Sequence, residues 1–364
     1  MGFAEFHGNK EIVDRLRGML ARDHFPHAVI LAGPCGAGKY TLAQMLAKAM
    51  NCLSPKTTDG LPDFCGNCAN CVRIAQADDL EARFAEAVEA REGMRDADKK
   101  DTRIFVQTHP DVLIVPPDPP QMMIKVDQVR RVNDTIRYLP GEARRRVYIF
   151  TEADFMKEAA NALLKVLEEP PASATLLLLA ENAGALLPTI RSRSVTFTLE
   201  PLPVEEIEKD LTKTKPQWSP KQRALVARLS AGALGRARTF DLEGYTKSRS
   251  DALALLNSAI QGGNHSALFQ VTETYRAGAE GREKTEQLLG TLYSLLEDLM
   301  FLQSGVPDFV RNTDILGELK KLAAAVDFAW IASATERANE VQSGMRRNLL
   351  RSLSLDALAT ALEK

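Results

Sequence analysis

The stretch Ala28-Val-Ile-Leu-Ala-Gly-Pro-Cys-Gly-Ala-Gly-Lys39 restricts this chain more than any other. A five-residue apolar run leads into a glycine-rich turn and a lysine, and Leu42, Met45, Leu46 and Ala49 then follow at helical spacing. That order is the strand, phosphate loop and helix of a P-loop. Gly33, Gly36 and Gly38 let backbone N–H groups turn inward onto phosphate oxygens, while the helix N-terminus adds partial positive charge. Lys39 is placed to reach the β and γ phosphates of ATP, or the β phosphate of ADP. The plain alternative is a glycine turn beside a surface lysine.

Further short apolar runs recur at Val112 to Val115, Val147 to Phe150, Leu176 to Ala180 and Val195 to Leu199. Unbroken runs of this length suit parallel strands buried on both faces, so the first part of the chain is expected to be α/β with a five-stranded parallel sheet. Between two of them, Phe155 to Glu168 carries Met156, Ala159, Ala160, Leu163, Leu164 and Leu167 as a helix that Pro170 and Pro171 stop. After Pro201 and Pro203 the strand signals end. Amphipathic helices follow, with turn signals at Gly232, Gly262-Gly263 and Gly305 to Pro307, and an apolar stripe Leu350, Leu353, Ala357, Leu358, Ala361 and Leu362 closes the sequence. With 364 residues there is room for two or three domains, at roughly 100 to 200 residues each. The expected division is 1–200 for the P-loop domain, 201–242 for a helical lid and 243–364 for an all-α domain. The charged stretch Asp78 to Asp101 reads as a solvated helical insertion.

Two elements of phosphate chemistry are altered. A hydroxyl that holds Mg²⁺ belongs directly after the lysine, but Tyr40 stands there and Thr41 comes one residue late. The acidic partner of the metal belongs at the end of the strand Val147 to Phe150. Thr151 occupies that place, followed by Glu152 and by Asp154, which is expected to point away on the next turn. The loop is thus equipped to hold phosphate and poorly equipped for Mg²⁺ or hydrolysis.

Four of the five cysteines cluster as Cys52-x12-Cys65-x2-Cys68-x2-Cys71, and Cys35 stands alone in the phosphate loop. Four thiolates within twenty residues suit tetrahedral Zn²⁺, and a fully occupied sulfur site leaves no position for catalytic water. An iron–sulfur cluster is the competing reading, weakened because no Cys-Pro closes the run. The odd number of cysteines and the lack of a basic-then-apolar leader argue against a disulfide framework and secretion. No run approaches the roughly 18 apolar residues of a membrane span. A soluble, cytoplasmic protein is expected.

These landmarks, together with His109-Pro110-Asp111, Asn161-Ala-Leu-Leu-Lys-Val-Leu-Glu-Glu-Pro-Pro171 and Arg191-Ser-Arg-Ser194, resemble the AAA+ subunits of the bacterial DNA polymerase III clamp loader through the segment ending near Leu242. The resemblance implies an AAA+ domain with a zinc module, a helical lid and an all-α collar that mediates oligomerisation. It implies that Arg193, in a Ser-Arg-Ser variant of the family's Ser-Arg-Cys motif, is an arginine finger acting in a neighbouring subunit's ATP site. Arg236, in Gly232-Ala-Leu-Gly-Arg236, falls at the family's second sensor and Asn182 near its first. Asn348 to Leu355 resembles the end of the collar. Within the family the delta-prime type fits best, because Tyr40 and Thr151 degrade the ATPase site while Arg193 is kept. The gamma or tau type, an active ATPase, is the alternative. Implied partners are the gamma/tau and delta subunits in a hetero-oligomeric ring, the sliding clamp and primer–template DNA, with no membrane.

Lys plus Arg (46) against Asp plus Glu (48) gives a net charge of −2, so DNA contact would have to come from a local patch. Lys125 to Arg146 holds seven basic residues against three acidic ones and could meet a phosphate backbone, although a solvated face explains it as well. A zinc-dependent DNA-binding regulator is the weaker reading of the cysteine knuckle, since no recognition helix is evident beside it.

Overall fold

The computed structural model describes residues 2–261 and 278–345. The turn expected at Gly262-Gly263, the closing stripe from Leu350 to Leu362 and the segment Asn348 to Leu355 lie outside the described residues. The chain forms two compact units, Met1–Leu202 with Gly232–Arg236, and Pro203–Ala231 with Ala237–Lys364, each taken over its described residues.

The first unit is built on β1 (Ala28–Ala32), β2 (Lys56–Thr58), β3 (Leu61–Asp63), β4 (Val106–His109), β5 (Val112–Val115), β6 (Arg146–Phe150), β7 (Ala174–Ala180) and β8 (Val195–Thr198). Six of these form one sheet in the order β4-β5-β6-β7-β1-β8, and β2 pairs with β3 in a separate hairpin. The five expected strands are present and parallel, with β1 between β7 and β8 in registers such as Ile30 to Leu178 and Ile30 to Thr196. A sixth strand, β4, adds antiparallel to β5 at the edge. Its Val106-Gln-Thr-His109 buries only its two ends, which is the signature of an edge strand rather than of a central apolar run.

Alternation along the strands explains why the inner runs are almost wholly apolar. Val29, Leu31, Val112, Ile114, Leu177 and Leu179 face one core with α1 (Lys10–Ala21), α2 (Lys39–Asn51) and α3 (Ala69–Ala75). Their neighbours Ile30, Leu113, Val115, Phe150, Leu176 and Leu178 face the opposite core. Helices α4 (Leu80–Glu92) and α5 (Asp96–Asp101) make up the charged insertion. The second core is closed by α6 (Val126–Thr135), α7 (Lys157–Glu168) and α8 (Pro188–Arg191). Both faces are covered, so the inner strands are almost entirely apolar, Thr175 of β7 being a buried exception.

The insertion is anchored by charge. Arg91 of α4 donates to Asp118 at 3.0 Å, and Lys125 lies 2.8 Å from the other carboxylate oxygen, with Asp118 fully buried. A buried carboxylate between two cations keeps its charge compensated, which is the condition for its being there.

The second unit is helical: α9 (Val204–Thr214), α10 (Pro220–Leu229), α11 (Leu234–Arg238), whose first residues belong to the first unit, α12 (Leu242–Gln261), α13 (Gly278–Gln303), α14 (Leu316–Ala325) and α15 (Phe328–Met345). Ser219 and Gln222 cap α10 reciprocally, each side chain taking the other's backbone N–H. Leu256, Leu288, Leu292, Leu299, Leu319 and Ala334 form its core. Beside it Arg249 forks onto Asp314 at 2.8 and 2.7 Å, and Asn312 accepts from both Tyr245 and Arg249. Among the described residues no helix is long and apolar enough to cross a membrane.

Candidate functional site

The phosphate loop leaves β1 and enters α2 through three glycines at positive φ, +143° at Gly33, +80° at Gly36 and +88° at Gly38. No residue with a Cβ holds such angles without strain. Lys39 is half-buried, and its Nζ donates to the loop's own carbonyls, Gly33 at 2.5 Å and Pro34 at 2.8 Å. Burial lowers its pKa, while Cys35, Glu181 and Glu152 oppose that shift. An incoming phosphate would offer the ammonium stronger, charged acceptors than these carbonyls.

A cleft of about 920 Å³ opens at this loop. It lies where the strands of the parallel sheet end, the usual place for a ligand in such folds. Its walls include Lys39 and Thr41 from the loop and helix, Thr151, Glu152 and Asp154 after β6, Glu181 and Asn182 after β7, and Gly235. Asp154 is therefore a wall residue, although its place on the turn suggested otherwise. Glu152's carboxyl is pushed above its ordinary range by burial and then by Glu181 and Asp154. Asn182 turns its side-chain oxygen to the N–H of Gly184 at 2.7 Å.

Tyr40 borders the cleft, but its hydroxyl is committed elsewhere. It donates to the carbonyl of Ala77 at 2.5 Å and accepts from Gln44 at 2.7 Å. Burial raises the phenol's pKa well above its usual 10, so it stays a neutral donor at physiological pH. Tyr40, expected among the cofactor-binding residues, thus lines the cleft with its ring while its hydroxyl is directed at the turn just past α3.

Gly235 donates its N–H to the carbonyl of Gly36 at 2.8 Å. A Cβ on Gly36 would lie 2.6 Å from the backbone nitrogen of Arg236, and one on Gly235 would lie 2.9 Å from the Gly36 oxygen. Two facing glycines are what allow the backbones to touch. Arg236 itself is exposed and is not among the residues lining the cleft.

Arg193 is not among the residues lining the cleft. Its guanidinium pairs with Glu168 of α7 at 3.0 Å and donates to the carbonyl of Thr189 at 3.2 Å, with about a third of the side chain exposed. A half-exposed pair of this kind contributes little to stability and is easily exchanged.

Cys52, Cys65, Cys68 and Cys71 converge, their sulfurs all within 4.8 Å of one another. The Cys52 and Cys65 sulfurs are 3.5 Å apart and those of Cys52 and Cys68 4.0 Å, too far for disulfides. A tetrahedral centre with metal–sulfur bonds of about 2.3 Å puts its sulfurs about 3.8 Å apart, which matches. Backbone N–H groups of Leu53, Cys65 and Cys68 point at sulfurs of the cluster. Burial pushes the Cys68 thiol up, but N–H donors from Cys71 and Leu53 outweigh it and bring it to about 6. The four residues can hold a metal ion, and all four positions would be filled by protein.

Other landmarks are structural. Asp111 accepts N–H bonds from Gly141, Glu142 and Ala143 and fixes the turn into β6. His109 is fully buried and accepts the Asp111 N–H on Nδ1. In the basic segment, Lys125, Arg130, Arg137, Arg145 and Arg146 pair with Asp118, Asp127, Glu169, Asp23 and Asp111 respectively. Intramolecular partners thus account for most of that positive charge. Glu181 was not singled out from the sequence; its position one residue past an apolar strand was the available signal.

The family described as "DNA polymerase III, delta subunit" matches residues 8–203. The chain is 26% identical over 313 residues to DNA polymerase III subunit delta' of Bacillus subtilis, covering 86% of this chain and 83% of that protein. It is 26% identical over 315 residues to subunit tau of Escherichia coli, covering 80% of this chain and 43% of that protein, so it spans less than half of that relative's length. A gamma-subunit-related protein of Thermotoga maritima aligns with 18% identity and a TM-score of 0.41 over 97% of this chain and 96% of that one.

Proposed function

The chain belongs to the DNA polymerase III delta-subunit family, and from that premise we propose that it is a delta-prime-like clamp-loader subunit which supports ATP-dependent loading of a sliding clamp onto primed DNA. In this reading it holds ATP or ADP without hydrolysing it and lends Arg193 to the ATP site of a neighbouring gamma/tau subunit. The observation that carries the proposal is the divided state of the cleft. The three glycines hold the positive φ angles that a phosphate loop uses and Lys39 follows them, whereas the hydroxyl at position 40 is spent on Ala77. Thr151 stands where the strand-end acid belongs.

Arg193 suits a role in trans because it is partly exposed, is not among the residues lining the chain's own cleft and is held by a weak surface pair and local hydrogen bonds. An arginine supplied across an interface can contribute roughly 10³ to 10⁵ in rate by meeting charge that develops on the γ-phosphate. The four cysteines would hold structural Zn²⁺. Residues 201–242 would act as a lid, with Arg236 as nucleotide sensor, and 243–364 as the collar that joins the delta and gamma/tau subunits. Such work places the protein in the cytoplasm.

A gamma/tau-like motor is the second reading, favoured by Thr41, Glu152, Asp154 and Glu181 on the cleft wall. Turnover by the isolated chain separates the two. The proposal expects labelled ADP to bind, Lys39→Ala to abolish that binding, and no hydrolysis above background; hydrolysis by the chain alone that Lys39→Ala removes would establish the motor.

A further inference from the structure

The phosphate loop and the cysteine cluster are joined by one helix. Loop residue Gly38 is the N-cap of α2 and ligand candidate Cys52 is its C-cap. Thirteen residues separate the caps, about 20 Å at 1.5 Å per residue. A second helix, α3, runs beside it with Cys68 as N-cap and Cys71 in its first turn. Three side chains tie α2 to α3 and to the turn just after it. Asn70 donates to the carbonyl of Asn51 at 2.9 Å, beside the cysteines. Lys48 pairs with Asp78 at 2.6 Å. Tyr40 reaches Ala77 from the first turn of α2, immediately after Lys39. Gln44, almost fully buried, donates to the same phenol oxygen and fixes its direction.

We propose that Tyr40 is a positioning residue that couples the cysteine centre to the phosphate loop, so that metal bound at one end of α2 tightens nucleotide binding at the other. The proposal rests on the reading of the cleft as a nucleotide site. With metal in place, Cys68 and Cys71 hold α3, Ala77 stays within reach of the phenol, and the first turn of α2 is held against α3. Without metal, α3 keeps the Asn70 bond and the packing of Ile74 but loses the restraint at Cys68 and Cys71, and the acceptor past its far end is held less firmly. The loop N–H groups that must converge on phosphate then lose one of their supports. Coupling of this kind is reciprocal: whatever factor the metal adds to nucleotide affinity, nucleotide adds to metal affinity.

The test uses the full chain loaded with Zn²⁺, the same chain stripped and dialysed, and Tyr40→Phe, which keeps the ring and removes the hydroxyl. Labelled ADP is titrated against each, Zn²⁺ affinity is measured with and without saturating ADP, and amide exchange is followed over residues 33–41. In the wild type, stripping should weaken ADP binding at least fivefold, ADP should raise Zn²⁺ affinity by a matching factor, and exchange in the loop should accelerate. In Tyr40→Phe each effect should shrink below twofold. Wild-type ADP affinity that ignores the metal, or Tyr40→Phe with undiminished coupling, overturns the proposal. If ADP binds neither form, the nucleotide reading of the cleft fails, and exchange decides the coupling alone: loop protection unchanged by stripping overturns it, and loss of protection in the wild type but not in Tyr40→Phe upholds it.

Discussion

The carboxylate of Asp111 accepts three backbone N–H bonds and lies 3.6 Å from Arg146, an arrangement that makes stability depend on pH. Burial alone would raise its pKa, but the donors from Glu142, Gly141 and Ala143 and the charge of Arg146 hold it below the usual 3.8. A lowered acid pKa stabilises the fold fully above the unfolded value, and that contribution is lost as pH falls through the lower folded one. Asp111→Asn should therefore unfold in urea with about 2 to 4 kcal/mol less stability at pH 7. The difference should narrow below pH 3.8; an equal difference at pH 7 and pH 3 would show that the carboxylate charge is not what matters. At this scale the sequence was informative where one residue type has one use. Lys39 and the four cysteines could be placed because their spacing leaves few alternatives. The direction of Tyr40 could not, since a phenol beside a phosphate loop can turn either way and only the position of Ala77, thirty-seven residues on, decides it.

Elements were legible in proportion to how completely they are buried. The four inner parallel strands are almost entirely apolar because helices cover both faces, and that pattern reads directly from sequence, while edge strand β8 alternates with Thr196 and Thr198 exposed. Edge strand β4 and the hairpin of β2 and β3 are only partly buried and so carry no such run. The backbone contact between Gly36 and Gly235 was equally hidden, since a glycine is marked by what it lacks. Gly36→Ala places a methyl 2.6 Å from the Arg236 nitrogen at a φ of +80°, so it should cost about 1 to 3 kcal/mol in thermal unfolding and weaken ADP binding. An unaltered melting temperature would mean the loop adapts freely. For the cysteine module, metal analysis should return about one zinc per chain. Cys68→Ser should lose that metal and melt at a lower temperature than the wild type, whereas iron with visible absorption would reassign the site.

At the scale of the whole molecule, near-neutral charge fits a subunit that works through protein partners. The ion pairs that occupy Lys125, Arg130, Arg137, Arg145 and Arg146 leave the basic segment with little uncompensated charge. Sequence order pointed to the family, because the loop, the cysteines and the Ser192-Arg193-Ser194 motif follow one another in its succession. It could not reveal that Arg193 is paired with Glu168 in the single chain. The pair is weak, so Arg193→Ala should leave the melting temperature of the chain within about a degree of the wild type, a change well under 1 kcal/mol. The most direct test of the account is ATP turnover by a clamp loader reconstituted with gamma/tau and delta subunits around this chain. The account predicts no turnover by the chain alone, full turnover by the complex, and a loss of at least tenfold when Arg193→Ala replaces the wild type. Turnover by the isolated chain, or a complex indifferent to Arg193→Ala, would contradict it.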